Sequence, residues 1–298
     1  MRLQQYADRA VAAGHVGIVI GAISAAGTEW AAAGSTGRRG RRPDDRTIFR
    51  LASLSKVFTA TALASAVTTG DIALDEPVLH HITYRHLATH TAGLPRGGVG
   101  LLDALAAVPG AGFEYSNEGV AALGALLGPD YEAVIRERIG LPDVTTVLDA
   151  EQLGRLAPGH DENGRPVVTP VYPLGAPSGG LYGTTADLLV FVRQYLTPDA
   201  ARRLAVTDRL CWMVDGERVW HNGALPGYRG YLAFCPVAGT GVAVLSNTAI
   251  PVDDLGVDVL SGLRPAADPA TPSFRQAQAS PEPSTPTKHS PGDPPRPA

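Results

Sequence analysis

Strand-like patterning stands at both ends of the chain, and helical periodicity fills the space between. Leu3 to Ala13 reads as a first helix. Two strands are expected next, Val16 to Ser24 and Thr28 to Ala33, joined by a turn containing Gly27. Ile48 to Arg50 reads as a short extended piece. From Ser53 to Thr69 the period is helical: Val57, Ala60, Leu63, Ala64 and Val67 fall near one face, and Gly70 ends the run. Further helices are expected around Tyr84 to His90, Leu101 to Ala107, Asn117 to Leu127, Tyr131 to Ile139 and Ala186 to Tyr195. Strands return in "RLCWMV", "ERVWHN", "GYLAFCP" and "TGVAVLSN", punctuated by turns at Asp215-Gly216 and Ala238-Gly239. Val252 to Leu263 reads as a closing helix. The simplest assembly is an α/β protein of the α+β type. One antiparallel sheet, built from both chain ends, is flanked by helices, and an all-helical region is inserted in the middle.

Composition narrows this picture. The chain has 298 residues and is 44% apolar, enough for one large core. We expect residues 1–264 to form the folded domain. Residues 265–298 hold ten prolines and few large apolar groups, so they read as a disordered tail. The formal net charge of -4 suggests no polyanion, hence no nucleic acid partner. The local basic run "RRGRR" (Arg38 to Arg42) reads as a solvated loop. The apolar run Val16 to Ile23 is too short to span a bilayer, so no membrane partner is expected. The first residues lack a secretory signal pattern, which favours the cytoplasm. The two cysteines, Cys211 and Cys235, show no CxxC spacing and read as buried free thiols in strand-like segments.

Candidate chemistry starts from a lysine. The chain has only two, against 23 arginines: Lys288 in the Pro-rich tail and Lys56, three residues after Ser53. That spacing puts Lys56 on the same helix face as Ser53, one turn away. A serine is a poor nucleophile until something takes its proton. An amine with a pKa lowered by burial can do so, and a guanidinium cannot. Taken alone, SxxK is also compatible with a capping serine and a surface lysine. A second element is Tyr115-Ser116-Asn117, where a phenol beside a cationic amine can have a lowered pKa and relay protons. A third is His221-Asn222-Gly223, expected at a strand end, where Gly223 permits close approach to the backbone. His86 and His90 lie four apart, but no third metal ligand accompanies them, and they read as capping and packing residues. Asp187 reads as a cap or solvent-facing residue, Gly179-Gly180 as a tight loop beside a cleft, and Tyr182 and Tyr228 as pocket or packing residues.

In order along the chain, SxxK, YxN and HxG resemble the motifs of the serine β-lactamase and penicillin-binding-protein superfamily. "ITYRHLATHTAGLP", "PSGGLYGTTADLLVFVRQYL" and "GVAVLSN" are similar to the branch holding class C β-lactamases, DD-peptidases, esterases and transesterases. The resemblance covers about residues 10 to 263. It implies the β-lactamase/transpeptidase-like fold, a small-molecule substrate, and neither cofactor nor metal. By it, Ser53 is the nucleophile, Lys56 its general base, and Tyr115 the group that protonates the leaving group and activates the deacylating water. The backbone N–H groups of Ser53 and Ala224 form an oxyanion hole. Asn117, His221, Asn222 and Gly223 line the substrate site. His221 stands where many relatives have lysine, and as a partly charged group it weakens the fixed charge expected for a penicillin carboxylate. The implied function is a serine hydrolase acting through an acyl-enzyme on a small ester, amide or lactam. An acyltransferase or transesterase, a true β-lactamase or D-alanyl-D-alanine carboxypeptidase, and a non-catalytic binding domain are the contrasting readings.

Overall fold

The apolar runs from the two ends of the chain pair with each other. The computed structural model describes residues 2–37, 40–97, 108–170 and 175–263. The helix expected at Leu101 to Ala107, the stretch 265–298, and Arg38 and Arg39 lie outside the described residues. The strands are β1 (Gly17–Ser24), β2 (Gly27–Gly34), β3 (Ile48–Arg50), β4 (Pro77–Leu79), β5 (Ile82–Thr83), β6 (Tyr182–Thr184), β7 (Met213–Asp215), β8 (Arg218–Leu225), β9 (Tyr228–Cys235) and β10 (Thr240–Ser246). Six of them form one sheet in the order β2-β1-β10-β9-β8-β7. Its pairings are antiparallel, with Ile20 opposite Val244 and His221 opposite Leu232. The first and last strands of the domain are therefore central neighbours.

Both faces of the sheet are covered, which is why its strands read as unbroken apolar runs rather than alternating ones. On one face, α1 (Leu3–Ala12) packs Leu3, Ala7 and Ala10 over Ile18, Ile20, Val242 and Val244. On the other face, Val19, Leu232, Phe234 and Leu245 meet the large core that includes α2 (Ser55–Thr69). A helix lies very close to β1 there: a Cβ built on Gly21 would stand 2.6 Å from Leu189 Cδ1. Each fully buried aliphatic side chain in these layers contributes about 1.5–3 kcal/mol relative to exposure.

The inserted region holds α3 (Tyr84–Ala88), α4 (Asn117–Leu127), α5 (Tyr131–Arg138) and α6 (Ala150–Arg155). After it come α7 (Thr185–Leu196), which carries Leu189, then α8 (Ala200–Thr207) and α9 (Asp253–Leu263). Val259 and Leu260 of α9 join α1 on its face of the sheet. Helix α6 starts at an Asp149 cap on Gln152 N–H, and α8 at an Asp199 cap on Arg202 N–H; neither helix was expected from periodicity.

Three expectations need correction. Helix α2 is not one-faced: 11 of its 15 residues are buried, including Ser55, Lys56, Thr59 and Thr61. It is a central helix, and its threonines find partners in Pro177 O and Tyr195 OH. The strand expected from Arg209 begins only at Met213, because Arg209 and Cys211 both adopt left-handed backbone with φ 54°. Cys211 is thus a buried thiol in a turn, while Cys235 is buried on β9; neither is in a disulfide. The helix at Tyr84 stops at Ala88, and His90 turns left-handed at φ 58°. No helix among the described residues is long and apolar enough to cross a membrane.

Candidate active site

Ser53 sits on a single 3-10 turn, Ala52–Leu54, between β3 and α2. The residue before it, Ala52, is held at φ 51°, a left-handed conformation that costs a non-glycine residue of order 1–3 kcal/mol. The turn is tied down from behind. Ser55 Oγ donates to Ala52 O at 2.7 Å and accepts from Leu181 N–H at 3.0 Å, and Leu51 N–H donates to Leu181 O at 2.8 Å. It is also pressed against β8. A Cβ on Gly223 would stand 2.5 Å from Leu51 O and 3.2 Å from Ala52 Cβ, so only glycine lets the strand approach the serine turn this closely.

Lys56 reaches back one turn. Its Nζ lies 3.2 Å from Ser53 Oγ and donates to Ser178 O at 2.5 Å. That carbonyl is presented by a π-helical turn, Ala176–Gly180, packed against Gly124 of α4. The Lys56 side chain is fully buried. Desolvation, with Arg96 adding like charge, brings the amine down from its ordinary 10.5 to about 7. A substantial neutral fraction at neutral pH leaves the amine able to accept the proton of a hydroxyl 3.2 Å away.

The Tyr115 hydroxyl is within hydrogen-bonding reach of Ser53. Its ring lies 5.0 Å from Lys56 Nζ and 5.3 Å from Arg96 Cζ. The lowered phenol pKa expected beside a cation is not found. Burial outweighs the Ser53 hydrogen bond and the Arg96 charge, and the phenol is pushed up to about 12. Tyr115 therefore remains a protonated donor.

A cleft of about 790 Å³ opens in front of Ser53. Ser53, Asn117, Ala224, Gly179 and Gly180 all line it, as do Arg50 and Arg96, which sequence reasoning did not select. Asn117 is the first residue of α4, whose start is capped by Ser116 Oγ accepting from Gly119 N–H. Arg50 is 5% exposed and is spent largely on structure, donating to Pro170 O and packing 4.9 Å over the Tyr182 ring. Its position directly before the serine segment is the one signal that would have found it.

The third motif is arranged differently from expectation. His221 lies within β8 and is 1% exposed, behind the Tyr115 ring at 6.3 Å, so it does not line the cleft. Burial first, then the Lys56 charge, lowers it to about 3, so it is neutral rather than partly charged. Asn222 takes the opposite face of the strand with Trp220 and donates to Asp253 Oδ1 at 2.6 Å, at the start of α9. It is not brought to the cleft. Gly223 acts by closeness to the serine turn, as described. Tyr228 is a core residue donating to Ala157 O. Asp187 is buried and forms a capping box with Thr184. His86 caps α3, as expected. Among the described residues no group of three or more His, Cys, Asp or Glu is placed to hold a metal ion.

The Beta-lactamase family model matches residues 3–261, and the chain belongs to that family. A human protein described as beta-lactamase-like is 27% identical over 83% of this chain and 63% of its own length. The D-alanyl-D-alanine-carboxypeptidase/endopeptidase AmpH of Escherichia coli is 28% identical over 57% of this chain and 54% of its own. The chain thus spans about half to two thirds of these relatives. The D-alanine carboxypeptidase AmpC of Burkholderia cenocepacia has the same fold: TM-score 0.75, 21% identity, covering 88% of this chain and 98% of that one.

Proposed function

We propose that the protein is a serine hydrolase that forms an acyl-enzyme on Ser53 with a small ester, amide or lactam. The observation carrying this reading is the 3.2 Å contact between Ser53 Oγ and a lysine amine whose pKa burial has lowered to about 7. In the proposed cycle, neutral Lys56 takes the Ser53 proton as Oγ attacks the acyl carbon. The N–H groups of Ser53 and Ala224 receive the developing oxyanion. Tyr115 gives its proton to the leaving atom as that bond breaks, and is reprotonated by the Lys56 ammonium. Water then attacks the acyl carbon as neutral Lys56 takes its proton, the phenol staying protonated; the bond to Ser53 Oγ breaks, and the Lys56 ammonium passes that proton to Oγ, restoring the serine. Asn117, at the cleft edge, would hold a polar group of the acyl portion.

Turnover of an activated ester and of a penicillin by wild type and Ser53→Ala tests the reading. Loss of turnover in Ser53→Ala supports it. Full turnover by that variant overturns it.

A further inference from the structure

His90 contacts the ring of the proposed proton donor and the residues on either side of it, yet has no part in the chemistry described above. Glu114 N–H donates to His90 O at 2.7 Å, and Ser116 N–H donates to His90 Nδ1 at 3.2 Å. These are the two residues flanking Tyr115. The imidazole also stacks on the Tyr115 ring, with centroids 4.6 Å apart and planes at 28°. We propose that His90 is a positioning residue for Tyr115, clamping the peptide on both sides of the phenol and supporting its ring so that the hydroxyl stays on Ser53. The inference rests on the acyl-enzyme reading above.

The residue type fits this task. Any residue offers the carbonyl; a neutral imidazole also offers an acceptor nitrogen within a short flat ring. His90 is 2% exposed, and burial, with the Lys56 charge second, lowers it to about 4, so the ring is neutral where Lys56 can act. With Nδ1 accepting from Ser116, the proton is on Nε2, which finds no partner among the described residues. A left-handed backbone at a non-glycine residue is costly. A residue serving packing alone would avoid it. The same clamp extends to the cleft, because Ser116 also caps α4 and so sets Asn117.

The test uses two esters of one acyl group that wild type turns over, one with a nitrophenyl and one with an alkyl leaving group. A departing alkoxide needs the Tyr115 proton; nitrophenolate hardly does. His90→Asn keeps a side-chain acceptor and tolerates the left-handed backbone but removes the ring. His90→Phe keeps the ring and removes the acceptor. Rates are normalised to active sites counted by covalent labelling of Ser53, so partial unfolding does not enter. The expected result is a fall in kcat of about tenfold or more on the alkyl ester in both variants. On the nitrophenyl ester the loss is much smaller, and KM is little changed. Equal losses on the two esters, or no loss on either, overturn the proposal. Turnover that survives in Ser53→Ala overturns the underlying acyl-enzyme reading instead.

Discussion

Lys56 Nζ lies 3.2 Å from Ser53 Oγ, and among the described residues no carboxylate pairs with the amine. A buried lysine without a counter-charge loses affinity for its proton, which suits it to accept one. Acylation should therefore rise with pH by about tenfold per unit below about 7 and level off above it. Lys56→Met and Lys56→Arg should lower acylation by about 10²–10⁴-fold.

The same amine makes a stability prediction with a defined sign. Its pKa is about 7 folded and 10.5 in the unfolded chain, so between those values the unfolded state binds more protons. Stability gains from Lys56 as pH rises through that window. Below about 7 the amine is charged in both states and its burial cost is in full force. Lys56→Met should accordingly be inactive yet at least as stable as wild type at pH 6, measured by denaturant unfolding. A marked loss of stability there would show that the charged amine is well solvated by its carbonyl partner.

Three buried histidines act in the acid range. Burial lowers His15 and His90 to about 4 and His221 to about 3, against an ordinary 6.5. Each contributes stability that is present above about 6.5 and is lost as pH falls towards the folded values. The unfolding free energy should drop steeply between about pH 6.5 and 4. His221→Gln should flatten part of that drop.

Gly223 is expected to be intolerant of even one added carbon. The new Cβ would meet Leu51 O at 2.5 Å, and backbone on both sides cannot yield as a side-chain tip can. Gly223→Ala should cost about 1–3 kcal/mol of stability and displace the Ser53 turn. A fall of at least tenfold in acylation per folded molecule is the expected reading in a labelling assay.

Two asparagines next to recognised motifs should behave differently. Asn117 lines the cleft, so Asn117→Ala should raise KM or lower kcat. Asn222 faces Asp253, so Asn222→Ala should leave both constants near wild type and shift only stability. Steady-state kinetics on one ester distinguishes them.

The sequence made some of this legible and hid the rest for physical reasons. Strands β1, β9 and β10 could be read because both sides of the sheet are covered, leaving Ile18–Ile20 and Val242–Leu245 as continuous apolar runs. Ser53 and Lys56 stood out through a lysine in an arginine-using chain. The burial of His221 was not visible, since it depends on Tyr115 packing in front of it from a distant segment. The placement of Asn222 could have been inferred: on a strand, residues 221 and 222 face opposite ways, so both could not point at one cleft. Helices α6 and α8 were announced by Asp149 and Asp199, whose caps outweigh their weak periodicity. Left-handed turns at His90 and Cys211 have no reliable local signature, because long-range packing imposes them.

The central claim is that Ser53 carries the acyl group. The most direct test is intact mass after brief exposure to an activated ester and to a penicillin, with Ser53→Ala alongside. The account predicts an added acyl mass on wild type, located by peptide mapping to Ser53, and none on Ser53→Ala. An adduct that persists on Ser53→Ala, or turnover of either reagent without passage through Ser53, would contradict it.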